Sequence, residues 1–365
     1  MDDEYDADVD MEHGLPSSSP FFQPPAAKSI YGWDTLPKQL HQIFRRSNFR
    51  NDNHPAVIPS DYYQHMYPAL QLASQMLISR QSLSFWYGAM HNVTETLGES
   101  NVNATFRAQA NMTRSQINET LKWLEELAER IFFCPQLPDG FPPVSGVTGP
   151  SHHCGLGTQE GRHSLISLDK SLVLAVRSSD LDDKDAQLND LRLAVTIVHE
   201  VAHAGNRLLR GDGKGEMFFE DEETNEIGFA YENFLFGGTL EIWWTGDITV
   251  TAWPHHNLHE AHGATRTRQR RKPVGPDQIS LVRENGIDKF FRAAFWEMQS
   301  DDTGRPLVLS TMKRTVPAQS ILGIQTPDEA LSAMTRWYWY TRCRCQRTKV
   351  TCETCMDFEL DFVIV

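Results

Sequence analysis

His199-Glu200-Val201-Ala202-His203 sets two imidazoles four residues apart, with a carboxylate beside the first. On a helix, residues at that spacing lie one above the other on the same face, so both rings can bind one small cation. Glu200 then stands within reach of a water held by that cation, which is the chemistry of a metal-assisted hydrolase. Leu193, Ala194, Val195, Ile197, Val198, Val201 and Ala202 make the stretch apolar nearly all round, the pattern of a buried helix. Two histidines and a carboxylate are costly to bury unless they are paired or ligate a metal.

A catalytic zinc site takes three protein ligands and leaves one position open. The metzincin extension would place its third ligand, a histidine, six residues after His203; Leu209 is there instead. The sequence predicts a helix over 221–236, stopped by Gly237-Gly238, that offers Glu222, Glu223 and Glu226. Carboxylates in a first helical turn are favoured by the macrodipole, which accounts for Glu220 to Glu223 without a metal. Glu226 would lie a turn further in, flanked by Ile227, Phe229 and Ala230, and ligation gives such a carboxylate a reason to be there.

The paired elements His199-Glu200-Val201-Ala202-His203-Ala204 and Asn225-Glu226-Ile227-Gly228-Phe229-Ala230 resemble the zincin metallopeptidases of the gluzincin type. In their aminopeptidase branch, the histidine pair is followed by a helix carrying Asn-Glu-Gly-Phe-Ala. The chain also resembles uncharacterised fungal proteins in which the motif precedes Glu-x-Gly and Phe-Gly-Gly, here Glu226, Gly228 and Phe236-Gly237-Gly238. The resemblance covers about residues 160–240. It implies Zn2+ held by His199, His203 and Glu226, Glu200 as general base, and a peptide or protein substrate. It also implies an α+β, zincin-like fold: a helical N-terminal layer plus a small mixed sheet packed on the HExxH helix. Glu222 fits the aminopeptidases' usual gap better, and Glu226 then falls four residues on, so a register with Glu222 as ligand and Glu226 behind it stays open. The exopeptidase's amine-anchoring motif is absent upstream, so aminopeptidase activity is not implied.

These groups need a frame. Asn189 or Asp190 is expected to cap the central helix, and Gly211 to follow its end. Before it, Ser164 to Leu168 and Ser171 to Val176 read as strands, the second as an edge along which an extended peptide would lie. Residues 135–157, rich in Pro and Gly, read as an irregular connection. Apolar residues at helical spacing predict a short helix over 36–46, a long one over about 62–91 and another over about 104–133. After 236, strands are expected within 242–253 and a helix within 279–300. Residues 1–27 read as an acidic, then Pro-rich tail. Residues 28–340 read as one domain, with the helical layer at 28–135 and the metal core at 160–240, and 341–365 as a cysteine-containing tail. Tyr231 and the histidines at 255, 256, 259 and 262 are the candidates to stabilise an oxyanion.

The totals bound the rest. The chain has 365 residues, a net charge of −14 and 40% hydrophobic residues, enough for a sizeable core. That acidity argues against nucleic-acid and anionic-membrane partners. No apolar run is long enough to span a bilayer, and the acidic N-terminus does not read as a secretory signal. An intracellular, cytoplasmic rather than nuclear location is expected. Cys343, Cys345, Cys352 and Cys355 could hold a second, structural zinc, and the basic run at 266–272 reads as exposed charge. His152, His153 and Cys154 read as loop residues. The rival to a peptidase is a catalytically inactive zincin-like protein with a structural or binding role. The presence of Glu200 speaks for catalysis, since a structural site has no use for it.

Overall fold

The computed structural model describes residues 21–22, 36, 39–51, 54–97, 102–135, 145–150, 163–176, 183–211, 214–222, 225–242, 248–251, 279–282, 287–301 and 311–316. Strand β1 (Phe21–Phe22) pairs with β2 (Leu40–His41), and two 3-10 turns over Gln42–Phe44 and Arg46–Asn48 lead to the pair β3 (Arg50–Asn51) and β4 (His54–Val57). Three helices follow, α1 (Ser60–His65), α2 (Tyr67–Ile78) and α3 (Arg80–His91). The single helix expected over 62–91 is thus broken twice. Pro68 begins α2 in the first turn, and Ser79 caps α3 by accepting the Ser82 N–H.

The expected helix over 104–133 is three elements: the second strand of a hairpin, a helix and a further strand. Strands β5 (Val93–Leu97) and β6 (Val102–Phe106) form an antiparallel hairpin, helix α4 spans Arg114–Ala128, and strand β7 spans Ile131–Cys134. Thr113 and Gln116 exchange side-chain and backbone hydrogen bonds in a capping box that starts α4 at Arg114. The apolar stripe had joined residues of all three.

Strand β8 (Gly146–Pro150) lies inside the stretch expected to be irregular, and β9 (Ser164–Leu168) is where it was expected. Residues 171–176 are not a strand: Lys170–Ala175 form helix α5. Asp169 caps it, accepting the Ser171 N–H at 2.8 Å and the Ser171 hydroxyl at 2.9 Å. A short apolar run does not by itself distinguish helix from strand, and here the cap decides. Helix α6 (Asp183–Arg210) then runs for 28 residues and ends at Gly211, whose φ of 83° is left-handed. It starts earlier than expected, so Asp190 is a buried residue of its body.

Strand β10 (Phe218–Phe219) pairs parallel with β6. Helix α7 spans Ile227–Phe236, and β11 (Thr239–Ile242), β12 (Ile248–Thr251), β13 (Ile279–Val282) and β14 (Thr311–Val316) form an antiparallel sheet in chain order. The helix expected within 279–300 is α8 (Ala293–Asp301), preceded by a 3-10 turn at Asp288–Phe291, while the start of that stretch is strand β13 instead. The short helix expected over 36–46 is likewise replaced by β2 and the two 3-10 turns. The expectations for His152, His153, Cys154, His255, His256, His259, His262, the basic run at 266–272, and Cys343, Cys345, Cys352 and Cys355 lie outside the described residues.

The fold is α+β. Helix α6 is its axis, packed by α2, α7, β8 and β9. Leu191, Leu193, Ala194, Ile197, Val198, Val201, Ala202 and Ala204 of this helix are fully buried. Gly205 lets α6 approach the indole of Trp86, where a Cβ would lie 2.7 Å from the ring. The sheet beside α6 has order β7-β9-β8, with β7 parallel and β8 antiparallel to β9. Among the described residues, no helix is long and apolar enough to cross a membrane.

Candidate metal centre

One turn of α6 separates His199 from His203, and their Nε2 atoms approach to 3.2 Å. Oε1 of Glu226 lies 2.8 Å from His203 Nε2 and 3.7 Å from His199 Nε2. Ligand atoms around a tetrahedral zinc with bonds of about 2.0–2.1 Å stand roughly 3.3 Å apart, and the three observed separations bracket that value. The side chains keep 14%, 13% and 10% exposure, so the cluster is sheltered but not sealed. Among the described residues, it is the group of His, Cys, Asp and Glu side chains arranged to share one ion.

The way Glu226 arrives differs from the sequence reading. Helix α7 begins at Ile227, and Glu226 is its N-cap rather than an interior residue. Its Oε2 accepts the Phe229 N–H at 2.7 Å, which satisfies one of the helix's unpaired donors and leaves Oε1 for the histidines. Glu222 sits in the turn before, where its Oε1 accepts from the Asn233 amide at 3.4 Å, and it is not part of the cluster.

Two further carboxylates hold the imidazoles from behind, and the sequence reading did not find either. His199 Nδ1 donates to Glu232 Oε1 at 2.7 Å, and Glu232 Oε2 accepts the Leu240 N–H at 3.0 Å. His203 Nδ1 donates to Glu216 Oε1 at 2.5 Å, and Glu216 Oε2 accepts the Ile227 N–H at 3.0 Å. A carboxylate accepts but does not donate, so each Nδ1 carries a proton, which leaves Nε2 as the atom of each ring that can ligate an ion. The backbone contacts also tie the two rings to the start of α7 and to β11.

Gly228 gives the His199 ring its room. A Cβ on Gly228 would lie 2.4 Å from His199 Nε2. Any side chain there would occupy the position that faces the imidazole, and glycine leaves it clear.

Charge argues in the same direction. Burial disfavours the imidazolium of His199, but Glu226 and Glu232 outweigh it and hold its pKa above the ordinary value. For His203 the balance is the same, with Glu216 and Glu226 raising it well above. Burial pushes the Glu226 carboxyl up, yet His203, His199 and the Phe229 N–H bring it down to about 2. Glu200, Glu216, Glu226 and Glu232 surround only two imidazoles. That excess of negative charge in a sheltered place is what a divalent cation would neutralise.

Glu200 is 5% exposed. Burial raises its pKa, opposed by the charges of His203 and His199 and by a hydrogen bond from Thr148. The Thr148 hydroxyl lies 2.7 Å from Glu200 Oε2 and 2.9 Å from the Glu200 carbonyl oxygen. Two residues earlier, a Cβ on Gly146 would fall 2.8 Å from Glu200 Cγ and 3.0 Å from Oε1. Strand β8 therefore walls the carboxylate on the side of Gly146 and Thr148.

That strand pairs on one side among the described residues. The Asp169 N–H donates to Ser145 O at 2.9 Å, and the register places Gly146 opposite Leu168 and Thr148 opposite Ile166. In an antiparallel ladder the main-chain groups alternate between neighbours. Ser145, Val147 and Gly149 thus face β9, and the main chains of Gly146 and Thr148 face the opposite edge, which no described strand covers.

Two other expectations change. Tyr231 is fully buried, packed on Phe85 and Trp86 with its hydroxyl on Ser82 Oγ, so it is a core residue and not a donor to an oxyanion. The edge expected at 171–176 is a helix, and β8, the strand beside Glu200, has one strand partner among the described residues.

No curated protein and no solved structure matches the chain. Residues 89–237, from the end of α3 through α7 and so including every residue of this centre, match the model of a metallopeptidase family, metallopeptidase toxin 3.

Proposed function

We propose that this protein is a zinc-dependent peptidase of gluzincin type, with His199, His203 and Glu226 as metal ligands and Glu200 as general base. The observation that carries the reading is the meeting of two imidazole Nε2 atoms and one carboxylate oxygen at mutual distances of 3.2, 2.8 and 3.7 Å. The match to a metallopeptidase family over the same residues supports it. Two nitrogens and one carboxylate oxygen are the donor set of catalytic zinc sites that keep a fourth position open.

When bound, zinc would polarise the scissile carbonyl and acidify a water. The protein's own groups do the rest. Glu200 takes the proton of the attacking water and passes it to the leaving amine. Glu216 and Glu232 hold the imidazoles in the tautomer that presents Nε2. An extended peptide adds to the edge of β8 away from β9, where the Gly146 and Thr148 main chains meet it.

The test is a peptide library digested by the zinc-loaded full chain and by its Glu200→Gln variant, read by mass spectrometry. The variant should keep its zinc and lose cleavage by about 10² to 10⁴ fold. Equal cleavage by both, or none by the zinc-loaded wild type, would overturn the assignment.

A further inference from the structure

We propose that Thr148 is a positioning residue that couples peptide binding to the general base. The inference rests on the peptidase reading above.

The juxtaposition is specific. Thr148 is half-buried on β8, and its single hydroxyl proton is shared between the Glu200 carboxylate oxygen Oε2 at 2.7 Å and the Glu200 carbonyl oxygen at 2.9 Å. Its main-chain N–H and C=O point away from β9, toward the edge that no described strand covers, as the register and the Asp169-to-Ser145 hydrogen bond require. One residue therefore offers its backbone to a bound strand and its side chain to the base. Gly146 repeats the arrangement two positions earlier, with a main chain on the same edge and no side chain where Glu200 needs room.

The consequence is geometric. A general base must stay within hydrogen-bond reach of the proton that it removes. A glutamate has three rotatable bonds, and burial alone does not choose among its rotamers. The Thr148 hydroxyl fixes one carboxylate oxygen and leaves Oε1 for the water. A peptide that seats on β8 joins the strand that carries this contact. Its main chain is thus placed by the same strand that aims the base, so peptides too short to engage β8 should be cleaved slowly even when they reach the metal.

The experiment compares zinc-loaded wild type, Thr148→Val and Thr148→Ser. Valine keeps the shape and removes the hydroxyl, whereas serine keeps the hydroxyl. Zinc content and KM for a peptide that the wild type cleaves should stay within about twofold in both variants. In Thr148→Val, kcat should fall about 10- to 100-fold, and Thr148→Ser should recover to within about threefold of wild type. Crystal structures of the two variants supply a readout that does not depend on turnover: the Glu200 carboxylate should leave its wild-type position in Thr148→Val and keep it in Thr148→Ser. Unchanged kcat in Thr148→Val, or an unmoved Glu200, would overturn the proposal. If the zinc-loaded wild type cleaves nothing, the peptidase reading fails, and the coupling to peptide binding that rests on it fails too.

Discussion

Glu232 accepts the Nδ1 proton of His199 at 2.7 Å while its other oxygen accepts the Leu240 N–H at 3.0 Å. One buried carboxylate thus fixes a ring on α6 against the strand that follows α7. Glu216 does the same for His203 and the first residue of α7. Such contacts set the tautomer and raise the basicity of the ring that they hold. Glu232→Gln and Glu216→Gln, which keep the size and lose the charge, should each weaken zinc binding 10- to 100-fold in a competition titration against a chelator. Affinities equal to wild type would mean that the two carboxylates only pack.

Gly228 makes a steric prediction. Its Cβ position lies 2.4 Å from His199 Nε2, and the ring, held from behind by Glu232, has little freedom to retreat. Gly228→Ala should therefore abolish zinc binding by isothermal calorimetry while far-UV circular dichroism stays that of wild type, since alanine suits a first helical turn at least as well as glycine. An alanine variant that binds zinc normally would show that the His199 ring can shift without losing the ion.

Tyr231 separates core from site. Its ring is fully buried and its hydroxyl meets Ser82, also fully buried. Tyr231→Phe should cost roughly 1–3 kcal/mol in urea unfolding, because the Ser82 hydroxyl loses its partner. Peptide cleavage at saturating zinc should remain within about twofold. A selective loss of kcat would return Tyr231 to the reaction.

The acid limb of stability should carry the mark of His41. It is fully buried, its Nδ1 accepts the Ile43 N–H at 3.2 Å, and burial pushes its pKa from 6.5 down to about 4. The unfolded chain takes up the proton first. This contribution to stability is complete above pH 6.5 and is lost as pH falls toward 4, by roughly 2 kcal/mol at pH 5. Urea unfolding at pH 7.5 and 5.0 should show that difference in wild type and a smaller one in His41→Gln. Identical pH dependence in the two would remove His41 from the account.

What could be read from the sequence follows the range over which each signal acts. The histidine pair was legible because the helical period alone fixes the relation of residues 199 and 203. Glu226 was legible as a candidate, but for the wrong reason: its strength is the N-cap, not the helix interior. Glu216 hides in a Gly-rich turn, and no local pattern ties it to His203. Glu232 did leave a signal, a lone carboxylate among Gly228, Phe229, Ala230, Tyr231, Leu235 and Phe236, which called for a buried partner. Strand β8 was masked by surrounding prolines and glycines, although Val147 and Thr148 are strand-formers. The helix at Lys170–Ala175 was misread because apolar runs carry no period at that length, whereas Asp169 ahead of it was the usable cue. The α+β class survived these errors, since it depends on α6 and its neighbours rather than on the bounds of each element.

The most direct test of the central claim counts metal. Zinc per chain, measured by mass spectrometry of the purified full-length protein after dialysis, should be one ion lower in Glu226→Gln than in wild type, and unchanged in Glu222→Gln. A Glu226→Gln protein that holds as much zinc as wild type, or a Glu222→Gln protein that loses an ion, would contradict the assignment of His199, His203 and Glu226 as its ligands.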